Sequence, residues 1–125
     1  MSLTGIVLFV LALYVVQLFL QETSRFRFDL WAIMGNRDRQ PEPGLIAARL
    51  ERAKNNMREA LPLFLGLAML AFASGKPDEA ANGAALFAAA RVLYIPAYAS
   101  GLPVLRSLIW LAGMGGLLMM AIALF

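Results

Sequence analysis

LTGIVLFVLALYVVQLFL, residues 3–20, is a run of 18 residues without a charge. A membrane-spanning helix needs about 20 mostly apolar residues, within a range of about 17–25, so this run is long enough to cross a bilayer. No positive segment precedes it and no small-residue cleavage site follows, so it reads as a retained first span rather than a signal peptide. Two more segments qualify by the same measure: Ala80–Tyr98, with one charge at Arg91, and Leu108–Phe125, with none. A fourth, Ala60–Ala73, is only 14 residues long. It crosses a bilayer only if its helix begins earlier, near Leu45, and carries the polar stretch Ala48–Glu59 with it. Pro62 then lies inside that helix, where a proline is expected to kink it. The expected fold is therefore all-α, one four-helix membrane bundle over 1–125. Its spans lie at about 3–21, 45–74, 79–99 and 104–125, with a polar loop at 22–44. Ser74-Gly75-Lys76-Pro77-Asp78 and Ser100-Gly101-Leu102-Pro103 read as tight turns, with Asp78 as an N-cap and Pro103 at the start of the last helix.

Composition points the same way. The 125 residues are 61% hydrophobic and 15% charged, where a soluble domain runs near half and a quarter. A small soluble chain could not bury that much apolar surface. A soluble enzyme, a disordered tail and a nucleic-acid-binding module are thereby disfavoured, despite a net charge of +3. There is no cysteine and no histidine. Disulfides, a protein thiolate, a histidine base and zinc or haem sites built on these residues are excluded, and any thiol must arrive with a ligand.

The charges are placed asymmetrically. Ten of the 11 lysines and arginines lie in or beside the first and third connections, and only Lys76 lies in the second. The positive-inside rule puts the first and third connections in the cytoplasm and both termini outside it.

Polar side chains at that end form three groups. Arg49, Arg52, Asn56 and Glu59 stand at offsets 0, 3, 7 and 10, which at about 100° per residue fall within an arc of about 80°. Arg91, Tyr94 and Tyr98 share one face of the third helix. Arg106-Ser107 opens the fourth. Each has an ordinary reading: a solvated helix face, an interfacial aromatic belt and a snorkelling arginine. Together, at one depth, they describe a cationic pocket with hydroxyl groups and one carboxylate. Such a pocket suits a small ligand with two carboxylates and one ammonium, since arginine grips carboxylates bidentately. Four helices leave little room for it inside one bundle, so it is expected between subunits.

Arg49-x-x-Arg52-Ala53-x-x-Asn56-x-x-Glu59-x-x-Pro62-Leu63-Phe64 resembles the second-helix motif of the membrane-associated proteins in eicosanoid and glutathione metabolism (MAPEG). Arg91-Val92-Leu93-Tyr94, Tyr98, Gly101 and Arg106-Ser107 resemble that family's junction between helices three and four. The resemblance spans essentially the whole chain. It implies a homotrimer with three glutathione sites between adjacent subunits, open to the cytoplasmic side, and the expected location is a bacterial inner membrane. Arg52, Asn56, Glu59, Tyr94 and Tyr98 would hold glutathione, with Arg91 counted in the same binding set and Arg49 as a nearby or interface arginine. Arg106 would stabilise the thiolate, with the Ser107 hydroxyl beside it. Family enzymes also carry an arginine near the end of helix one, for which Arg25 is the nearest candidate.

Three functions compete. The first is a glutathione transferase, with or without peroxidase activity, acting on lipophilic electrophiles dissolved in membrane lipid. The second is a non-catalytic lipid-binding protein of the same family. The third is a small multidrug transporter, but such pumps need an acidic residue in helix one, which the 3–20 run lacks, and a weak charge bias.

Overall fold

A computed structural model describes residues 2–25 and 45–125, with the backbone alone at 21–25 and 46. Most of the expected cytoplasmic loop therefore lies outside the described residues. Four helices follow in order: α1 (Leu3–Arg25), α2 (Leu45–Ala73), α3 (Pro77–Ser100) and α4 (Pro103–Ala123). Each is long and apolar enough to cross a membrane, and the described residues contain no strand. The second helix does begin at Leu45, and its 29 residues run continuously through Pro62.

Glycine and proline set the turns. Gly75 takes φ +69°, a conformation open to glycine because it has no Cβ. Its N–H donates to the Phe72 carbonyl at 3.2 Å and the Lys76 N–H to the Ala71 carbonyl at 2.8 Å. This pair of bonds is the Schellman closure of a helix C-terminus. Pro77 then occupies the first position of α3, so the N-cap is Lys76, not Asp78, and no side chain caps it. Asp78 and Glu79 lie in the first turn instead, where negative charge favours the helix dipole. The Lys76 ammonium donates to the Leu124 and Phe125 carbonyls at 3.4 and 3.5 Å, which brings the end of α4 beside the α2–α3 turn.

Helix α3 is the centre of the bundle. It packs against α1, α2 and α4, whereas the backbones of α1 and α4 stay more than 8 Å apart among the described residues. Phe64 of α2 stacks on Phe87 of α3 with ring centroids 4.7 Å apart and planes 13° apart. Leu3, Ile6 and Val10 of α1, Met57 of α2 and Met120 of α4 complete the buried core around them. Lipid tails are as apolar as leucine, so helices associate in a membrane through close backbone approach and van der Waals contact. The α3–α4 pair shows this most directly. A Cβ added to Gly83 would stand 2.6 Å from the Gly116 carbonyl oxygen, and one added to Gly116 would stand 2.6 Å from that of Gly83. Large apolar side chains such as Leu8, Phe19, Leu63, Met69, Leu118 and Ile122 point outward, as helices bathed in lipid require.

Candidate functional site

The end of the bundle opposite Lys76 gathers the N-terminal half of α2, the C-terminal half of α3 and the first turns of α4. The α3–α4 turn is built for this. Gly101 takes φ +77° and closes α3 by donating to the Tyr98 carbonyl. Leu102 is extended, as a residue before proline prefers, and Pro103 starts α4. Arg49 braces the turn by donating from Nη1 to the Ala99 carbonyl at 3.0 Å. Its guanidinium lies so close to Gly101 that a Cβ there would meet Cζ at 2.7 Å. Arg49→Ala is expected to cost about 1–2 kcal/mol through the lost charged hydrogen bond. Gly101→Ala should then be more damaging in the native background than in Arg49→Ala, because the clash is relieved there. Thermal unfolding of the two singles and the double checks this, and strictly additive losses would contradict the contact.

Between these three helices lies a cleft of about 550 Å³. Helix α2 contributes Arg52, Asn55, Asn56 and Glu59, α3 contributes Tyr94 and Tyr98, and α4 contributes Arg106, Ser107, Trp110 and Leu111. Tyr98 is its hub. The Arg106 Cζ lies 4.8 Å from the centre of the Tyr98 ring and the Arg52 Cζ 5.7 Å from it. Both are within the reach of a cation–π contact. Tyr94 meets Tyr98 edge-on at 5.5 Å. Two guanidiniums thus converge on one ring. Two like charges so placed repel unless an anion lies between them. Glu59 adds one negative charge to the lining, and Trp110 and Leu111 add an apolar wall one turn further along α4. Among the described residues no three His, Cys, Asp or Glu side chains are grouped as metal ligands would be.

The cleft therefore brings together Arg52, Asn56, Glu59, Tyr94, Tyr98, Arg106 and Ser107 from the sequence reading. Arg49 stands at the α3–α4 turn rather than in the lining. Arg91 lies behind the lining, 2% exposed, with Nη1 donating to Asn56 Oδ1 at 2.9 Å and Cζ 4.4 Å from the Tyr94 ring centre. Arg25 ends α1, and its side chain lies outside the described residues. The sequence reading missed Asn55, Trp110 and Leu111. Helical spacing carried the signal: Asn55 is three residues from Arg52, Trp110 three from Ser107, and Leu111 four from Ser107.

No curated protein and no solved structure matches the chain. The MAPEG family model matches residues 1–125. With four helices able to span a bilayer and a family match over its entire length, this chain is an integral multi-pass membrane protein and belongs to the MAPEG family.

Proposed function

We propose that the protein is a glutathione-dependent membrane transferase that joins the glutathione sulfur to lipophilic electrophiles. The observation that carries this is the convergence of Arg52 and Arg106 on Tyr98, in a cleft that also holds Glu59 and an apolar wall. Glutathione has two carboxylates, one ammonium and one thiol, and the donor set suits each. Arg52 and Asn56 take a carboxylate, Glu59 takes the ammonium, and Arg106 with Ser107 faces the sulfur. A free thiol of pKa about 8.5 is mostly protonated at neutral pH, and a nearby cation lowers that value. The thiol proton leaves to water and the thiolate attacks the electrophilic carbon. A sulfur–carbon bond forms as the leaving group departs with its electron pair. Trp110 and Leu111 offer the surface on which an apolar electrophile meets the sulfur.

In this reading the cleft faces the cytoplasm, the side the basic residues favour. Arg52, Glu59 and Ser107 are exposed on the single chain, so a neighbouring copy in a homotrimer would shield them from lipid and close the site. The pair of cleft arginines favours the enzyme over the lipid-binding alternative, which has no use for a thiolate partner.

Titration of the purified protein with glutathione tests the proposal. Saturable heat and a rise in ultraviolet thiolate absorbance are expected, and Arg52→Ala should weaken binding about tenfold or more, as loss of a charged hydrogen bond does. A protein that binds no glutathione but retains apolar ligands would be the non-catalytic relative instead.

A further inference from the structure

Arg91 is the most buried charge in the described part of the molecule, and its surroundings do not account for it as a stabilising residue. One of its donors is used, by Asn56 Oδ1. Nε and Nη2 are buried with no acceptor, and among the described residues no carboxylate acts on the guanidinium. Such an arrangement costs free energy in any low-dielectric interior. What Arg91 touches is more informative: Asn56 and Tyr94, both of which line the cleft. A guanidinium has donors only, so the asparagine must turn its oxygen toward Arg91. The amide nitrogen, a double donor, is then directed to the other side, where the cleft lies.

We propose that Arg91 is a positioning residue for the ligand: it pins the Asn56 amide with its NH2 toward the cleft and braces the Tyr94 ring from behind, so that the site presents donors to a ligand carboxylate. The proposal rests on the reading of glutathione as that ligand. It also explains why an unpaired cation is retained at this depth. The charge orients the site at the expense of stability, a trade expected where function and stability compete.

The test uses the full chain in detergent, with calorimetric glutathione titration and ligand-free thermal unfolding. Arg91→Met should raise the glutathione dissociation constant about tenfold, the scale of one charged hydrogen bond. Asn56→Ala should do the same, and the double variant should be no worse than either single. Arg91→Lys, which retains one donor for Oδ1, should recover most of the affinity. Without ligand, Arg91→Met should unfold at or above the native temperature. Additive losses would overturn the proposal, as would Arg91→Met with native affinity and a melting temperature lower by more than about 5 °C. A native protein that binds no glutathione would remove the functional reading, not this one. The ligand-free amide spectrum then decides. The Asn56 side-chain NH2 signals, identified by their loss in Asn56→Ala, should shift and broaden in Arg91→Met, and unchanged signals would refute the positioning role.

Discussion

Arg106→Ala is expected to lower the turnover of glutathione about tenfold to thirtyfold at pH 7, with a deficit that disappears as the pH rises past about 8.5. A thiol at its ordinary pKa of about 8.5 is only about 3% thiolate at pH 7. A cation that lowers the value by about two units makes most of it thiolate, and reduced nucleophilicity of the more acidic sulfur takes back part of the gain. The sign follows directly. In the proposed reaction the native protein alone holds mostly thiolate in the window between the lowered and the ordinary pKa, and the variant is the slower protein throughout that window and below it. Above the window both proteins hold thiolate, and below it the ratio between them is largest. S-methylglutathione has no ionisable thiol, so its affinity should change less than about twofold. An equal loss of affinity for the methylated compound would mean that Arg106 holds a carboxylate instead. A pH–rate profile of both proteins, with calorimetry on the methylated ligand, decides between them.

The second large effect belongs to the α3–α4 seam. Gly83→Ala would put a methyl group 2.6 Å from the Gly116 oxygen and 2.8 Å from the Met120 nitrogen, and Gly116→Ala would put one 2.7 Å from the Phe87 nitrogen. These neighbours are backbone, which cannot rotate away, so the helices must separate. Separation loosens the contact that drives association in lipid. Overpacking of this kind costs about 1–3 kcal/mol, and a fall in melting temperature of at least about 5 °C is expected for either variant. Gly115 supplies the control, since a Cβ there meets nothing within 4 Å. Gly115→Ala should be neutral or stabilising, because alanine is the better helix former by about 1 kcal/mol. If all three variants melt alike, the seam is not what holds these helices together.

The helices were legible because hydropathy over 18 residues is a strong, local signal. Leu3–Leu20 and Leu108–Phe125 needed nothing else. Helix α2 is less plain in the sequence, since half of it is polar, and only the length needed to span a bilayer extends it back to Leu45. The stripe from Arg52 to Glu59 was legible for a similar reason: periodicity places side chains on a face without knowledge of the neighbour. Depth is not periodic. Arg91 shares a face with Tyr94 and Tyr98, yet only the position of α2 decides that it lies beneath the lining with Asn56 as its partner. Arg49 shares a stripe with Arg52, yet only the α3–α4 turn decides that it grips Ala99. The cap at Asp78 failed because Pro77, with its fixed φ, claims the first helical position.

The length of α2 has a further consequence. At 1.5 Å per residue its 29 residues reach about 43 Å, against about 30 Å of hydrocarbon. About two turns therefore exceed the hydrocarbon thickness, and in the proposed reading the cleft straddles the boundary beneath them. A hydrophilic reactant is delivered there at its molar concentration in water, an oily one at its mole fraction in the film. Adding empty lipid vesicles or micelles at fixed total reactant should slow the reaction by dilution in two dimensions, while the half-saturating amount of the water-borne partner stays where it was.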